Sequence, residues 1–172
     1  MRNDNSTSYG SITRIFHWGM TVLIGWQILK LFDRINDGEH WVGQTLVPWH
    51  ISIGTLLFVL IIARIVWVAK QRIRPEQEPA TAFLVKIGHF LLYVCMAAMP
   101  VTGVLTMLGG GYGWTAFGIE IAAKGDKIPW AASIGSFHSP IAWLLVVLII
   151  GHIGMALLHH FIKKNDVMRR II

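Results

Sequence analysis

Three long stretches of this sequence, residues 40–63, 87–119 and 128–162, contain no Asp, Glu, Lys or Arg. Crossing the hydrocarbon core of a bilayer as a helix takes ~20 mostly apolar residues, and each stretch is long enough. Backbone polar groups in lipid must find partners within the chain, so helices are the spans to expect. The alternation that a membrane β-barrel requires is missing from these stretches. Only 14% of the 172 residues are charged and 54% are hydrophobic, whereas soluble domains carry roughly 25% charged residues. This balance weighs against a compact water-soluble enzyme.

The sequence therefore predicts an all-α integral membrane protein, one membrane domain over residues 1–172, built as a bundle of four transmembrane helices. Their expected extents are about 13–32, 48–69, 83–108 and 136–163. Residues 109–135 form a periplasmic loop, within which 114–123 is expected to lie on the outer face as a short helix. Gly109, Gly110 and Gly111 stop the third helix, and Pro100 should kink it. Pro140 falls in the first turn of the fourth, where its missing N–H is tolerated. Arg14 leads into an apolar segment that resembles the start of a secretory leader, but no small-residue cleavage site follows, so the segment is read as a retained helix.

Basic residues set the orientation. Arg2, Arg14, Lys70, Arg72, Arg74, Lys86, Lys163, Lys164, Arg169 and Arg170 fall on one side; Lys30, Arg34, Lys124 and Lys127 fall on the other. Ten against four places both termini in the cytoplasm. The same topology accounts for the net charge of +6, and no basic patch for nucleic acid is required. A single cysteine, Cys95, excludes an intrachain disulfide and reads as a small core residue, and no Cys-x-x-Cys-His is present for covalent haem attachment.

The eight histidines are the feature to explain, because ionisable groups inside membrane spans are costly and mark functional sites. His50 and His138 lie at the outer ends of the second and fourth helices, and His40 in the outer loop. His17, His89 and His152 lie within the cytoplasmic half, with His159 and His160 at its edge. His138, Leu145, His152 and His159 recur every seven residues, the spacing that keeps one face toward a left-handed bundle interior. His138 and His152 are separated by roughly 21 Å at 1.5 Å per residue, which makes two sites stacked across the membrane. Depth pairs His138 with His50. On the inner side, His17 and His89 are both placed to pair with His152.

Two neutral imidazoles from facing helices suit haem iron, because the porphyrin supplies the remaining four nitrogens and an apolar ring to bury. Zinc sites ordinarily take four protein ligands, with sulfur or carboxylate among them. Copper would favour Met and Cys, and Met96, Met99, Met107 and Met155 show no clear relation to the histidines and read as core filling. Gly54, one turn after His50, and Gly151, beside His152, would serve either a flat ring or close helix packing. With both axial positions filled by protein, such a centre transfers electrons and does not oxygenate.

Several short stretches then take on meaning together: Phe16-His17-Trp18; Trp49-His50-Ile51-Ser52-Ile53-Gly54; Gly88-His89 with Pro100 and Gly103; Trp114-Thr115-Ala116-Phe117-Gly118; Phe137-His138; and Gly151-His152 with His159-His160-Phe161. In this order and spacing, over about residues 12–165, the chain resembles the bacterial cytochrome b561 family of four-helix, two-haem membrane proteins. The resemblance implies two haems b, the cytoplasmic-side one ligated by His17 and His152 and the periplasmic one by His50 and His138. It also implies a multi-pass protein of the bacterial inner membrane and exchange of electrons with quinone such as ubiquinone. One branch of the family oxidises superoxide while reducing ubiquinone. Family members often carry an acid directly after the periplasmic ligand of the fourth helix, where Ser139 stands here.

Within that frame Lys124 and Lys127 are placed to attract superoxide toward the outer haem. Arg64, His89 and His159 are candidates for holding quinone carbonyls or haem propionates, with snorkelling as the alternative for Arg64. The rival readings are a haem b anchor subunit of a dehydrogenase or hydrogenase, and a His-lined membrane transporter. The first would need a partner-docking surface, and the second would favour acids along a polar path.

Overall fold

The structure is a computed structural model that describes residues 3–34, 36–73, 75 and 82–172, with side chains left out for 32–34 and 36. Arg2 and Arg74, both part of the charge asymmetry, lie outside the described residues. The chain is mostly helical. Helix α1 spans Ser11–Ile28 and continues as a 3₁₀ turn over Leu29–Arg34. A short helix α2, Trp41–Thr45, leads through a 3₁₀ turn at Val47–Trp49 into α3, His50–Lys70. Helix α4, Ala82–Gly109, runs unbroken through Pro100 and ends at the first residue of the glycine triplet. A hairpin of β1, Trp114–Ala116, and β2, Ile119–Ala122, precedes α5, Pro129–Gly135. Helix α6, His138–Leu157, closes with a π-helical turn at Leu158–Ile162.

Three helical stretches among the described residues are long and apolar enough to cross a membrane: Trp41–Lys70, Ala82–Gly109 and Pro129–Ile162, with mean hydropathies of 2.4, 1.9 and 2.6. The shortest, at 28 residues, is roughly 42 Å long at 1.5 Å per residue, more than the ~30 Å hydrocarbon core. Helix α1 is 18 residues long and more polar, with Thr13, Arg14, His17 and Gln27 along it. Its side chains reach α3 at both ends: Trp67 Nε1 donates to Thr13 Oγ1 at 2.9 Å, and Gln27 Nε2 donates to the His50 carbonyl at 2.9 Å. The two helices are therefore antiparallel. Helix α4 packs between α3 and α6, and the His17–His152 ring contact brings α6 back to α1.

Large apolar side chains cover the outside of this bundle. Val59, Phe90, Val147 and Ile150 are each more than 60% exposed. Helices apolar on every side suit a lipid solvent, in which the outward face needs no polar groups. Inside, Met20, Ile53, Ile61, Cys95 and Leu145 are buried.

The two ends of the bundle differ. At one, the termini meet: Tyr9 N–H donates to the Arg170 carbonyl at 3.0 Å, and Trp18 Nε1 donates to the Ile171 carbonyl at 3.1 Å. Asp4, buried there, accepts from Gly10 N–H and Thr13 Oγ1, both at 2.7 Å, tying the N-terminal segment to the start of α1. At the other end, the stretch expected as a short helix over 114–123 is the β1–β2 hairpin. Ala116 pairs with Ile119 across a two-residue loop, and Phe117 and Gly118 have φ of 51° and 79°. Positive φ at both loop residues is what a type I′ turn demands, and it stops a helix outright. The hairpin is pinned to α3 by Trp114 Nε1 donating to Thr55 Oγ1 at 3.0 Å and Phe117 N–H donating to Ser52 Oγ at 2.9 Å.

Candidate functional site: two histidine pairs at opposite ends of the bundle

The histidines gather at two levels. At the hairpin end, His50 opens α3 and His138 opens α6, and their ring centroids are 6.2 Å apart with planes at 86°. Both line an apolar cavity of about 210 Å³ enclosed by α1, α3, α4, α6 and the hairpin. Gly54, Met96, Met99 and Met107 also line it, so these three methionines share a cavity with the histidines, a relation their sequence positions did not reveal. Met155 is elsewhere, 38% exposed. Gln27, which sequence reasoning did not single out, reaches the same cavity; its Oε1 is buried without a hydrogen-bond partner among the described residues.

At the terminal end, His17 on α1 and His152 on α6 also have ring centroids 6.2 Å apart, with planes at 56°. His89 on α4 stands closer to His152, at 5.4 Å and 67°. All three inner histidines are therefore brought together. Gly151 has open space where a Cβ would point, so no close packing requires a glycine there, unlike Gly54, where a Cβ would come within 3.3 Å of Gln27 Nε2. Leu145, seven residues from each histidine of α6, is buried between the two levels.

Arg64 lies on α3 near the inner histidines. Its Nε donates to Tyr93 Oη at 3.0 Å, and its guanidinium carbon sits 5.5 Å from the centre of the Tyr93 ring. Tyr93 follows His89 by one helical turn and had no visible signal in the sequence beyond that spacing. His159 is buried at the end of α6 and bonds through Nδ1 to Asn165 Nδ2 at 2.8 Å. His40 accepts from Gly43 N–H at 3.0 Å and caps α2. Lys124 and Lys127 are exposed in the segment that follows the hairpin.

This donor set fits a haem and does not fit a bare ion. Among the described residues no three His, Cys, Asp or Glu side chains cluster to hold a metal by themselves. A metal–imidazole bond is about 2 Å and a ring nitrogen lies about 1 Å from its own centroid, so two imidazoles on opposite sides of one iron stand roughly 6 Å apart. Both 6.2 Å pairs meet that separation. The shorter His89–His152 approach is the edge-to-face contact of two rings that touch directly. His138 is further prepared for ligation, because its Nδ1 lies 3.0 Å from the Met99 carbonyl oxygen. A carbonyl only accepts, so Nδ1 carries the proton and Nε2 keeps its lone pair.

Comparison with known proteins places the chain in a family. The family profile of prokaryotic cytochrome b561 matches residues 8–172. Cytochrome b561 homolog 2 of Escherichia coli (strain K12) is 31% identical, over 95% of this chain and 90% of its own. A probable superoxide oxidase, CybB, of Yersinia pestis is 26% identical, over 91% and 90% of the two chains. Cytochrome b561 homolog 1 of Escherichia coli (strain K12) is 26% identical over 72% of each. The chain belongs to the prokaryotic cytochrome b561 family of haem-binding membrane electron-transfer proteins.

Proposed function

We propose that this protein crosses the bacterial inner membrane four times with both termini in the cytoplasm, holds two haems b, and carries electrons from the periplasmic face to the quinone pool. The observation that carries the reading is the pair of equal separations, 6.2 Å for His50–His138 and 6.2 Å for His17–His152. Each pair would hold one haem, with the hairpin end periplasmic and the terminal end cytoplasmic. The ten-to-four excess of basic residues in the sequence, counted on the side that carries both termini, supports that orientation. When bound between two histidines, haem b would supply reversible one-electron storage.

The chain's own residues set the conditions for that transfer. The apolar lining around His50 and His138 excludes water, and Leu145 separates the two levels without a polar break. Lys124 and Lys127 present positive charge at the periplasmic face, where a small anion would arrive. At the cytoplasmic side Arg64, His89 and His159 supply hydrogen-bond donors for quinone carbonyls or haem propionates.

The donor we favour is superoxide, in keeping with the Yersinia pestis relative. Two superoxide anions would give two O₂ while the quinone takes two electrons and two protons to become quinol. Anaerobic purified protein mixed with a superoxide source should show its α-band appear, and added ubiquinone should remove it. If superoxide leaves the band unchanged while a chemical reductant raises it, the donor is another molecule and the superoxide reading fails.

A further inference from the structure

The imidazole of His138 is held more elaborately than simple ligation needs. Besides the Met99 carbonyl at 3.0 Å, its Nδ1 lies 3.2 Å from Thr102 Oγ1. Thr102 is buried, and its hydroxyl lies 2.8 Å from the Ala98 carbonyl and 3.0 Å from that of Met99, both acceptors on its own helix. Its single proton is therefore directed to the backbone, and the oxygen lone pair faces the His138 Nδ1–H. The ring fits against α4 because residue 103 is glycine: a Cβ there would stand 3.1 Å from His138 Cε1 and 3.4 Å from Nδ1. Both contacts come from one turn of α4, while the ligand itself belongs to α6.

We infer that Thr102 is a positioning residue for the periplasmic haem: with the Met99 carbonyl it clamps His138 as the Nδ1–H tautomer, Gly103 provides the seat, and the shared proton sets the electron affinity of that haem. The inference rests on His138 being an axial ligand. Acceptors on the distal N–H make an imidazole a stronger donor, which favours ferric iron and lowers the reduction potential. Removing one acceptor moves the potential up. Because the clamp touches one ligand only, the cytoplasmic haem is left as it was.

The test is a redox titration of the purified full chain, followed in the α-band, with haem content measured in parallel. Thr102→Val keeps the shape and the β-branch but loses the acceptor; one of the two midpoint potentials should rise while the other stays. Thr102→Ser restores the oxygen and should return the shifted potential toward the wild-type value. Gly103→Ala should lower the haem content to about one per chain through loss of the periplasmic haem, the retained haem reporting a folded bundle. A Thr102→Val protein with two haems and both potentials unmoved, or both moved alike, overturns the clamp. A wild-type protein with fewer than two haems overturns the ligand assignment beneath it, and the two failures are thereby told apart.

Discussion

His50 and His138 stand 6.2 Å apart, ring centre to ring centre, across a cavity lined almost wholly by apolar side chains. His17 and His152 repeat the separation at the far end of the same bundle. Since α6 supplies one histidine to each pair, the two sites are independent in ligands but share a helix. His152→Ala should therefore release one haem and leave the other, halving the pyridine haemochrome yield per chain. His138→Ala should do the same for the opposite site. Retention of two haems in either variant would exclude that histidine as a ligand.

Lys124 and Lys127 are exposed, so their influence is electrostatic steering and not contact. Replacing both with Gln should slow superoxide-driven haem reduction at low salt by about twofold or more. The difference should vanish near 1 M salt, where the screening length falls to about 3 Å. Stopped-flow traces with an unchanged low-salt rate would remove the steering role.

Close backbone packing holds α5, which leads into α6, against the end of α4. A Cβ on Gly135 would come within 2.6 Å of Thr106 N, and one on Gly109 would run into the backbone of Ala132. Thr106 Oγ1 donates to the Gly135 carbonyl at 2.9 Å, fixing the contact. Gly135→Ala should cost about 1–3 kcal/mol by overpacking. It should also loosen the periplasmic haem before the cytoplasmic one, since His138 follows three residues later. Thermal denaturation read separately at the Soret band and by circular dichroism would show the two events, and a melt identical to wild type would contradict the packing argument.

The hairpin caps the cavity that His50 and His138 line through two side-chain bonds, Trp114 Nε1 to Thr55 Oγ1 and Phe117 N–H to Ser52 Oγ. Thr55→Val with Ser52→Ala removes both acceptors, each worth about 0.5–1.5 kcal/mol. Amide hydrogen exchange over residues 114–122 should quicken while exchange in α4 stays slow. Equal protection in the variant would mean that the hairpin is held by its own ladder and apolar contacts.

Much of this architecture is readable from the sequence because membrane helices obey a harsh rule. Long uncharged runs leave few alternatives, and the seven-residue recurrence of His138, Leu145, His152 and His159 already marks one face of α6. What sequence spacing leaves open is which neighbour each histidine meets. His17 and His89 sit at similar depth, and the structure brings both to His152, at 6.2 Å and 5.4 Å. Only three-dimensional separation tells the two approaches apart. The hairpin is hidden for a different reason. Phe117 at positive φ is rare for a bulky residue, and Phe-Gly lacks the Asn-Gly or Asp-Gly signal of a type I′ turn. Thr102 and Gln27 are visible as polar residues in apolar helices, but their partners, His138 Nδ1 and the His50 carbonyl, come from other helices.

The most direct measurement is haem quantitation on the purified chain: a reduced-minus-oxidised spectrum with pyridine haemochrome analysis against protein concentration. Two haems b per chain, with no covalently attached haem after acid–acetone extraction, is the result expected from two histidine pairs at equal separation. One haem per chain would contradict the stacked pairs, and a protein without a Soret band would contradict the account as a whole.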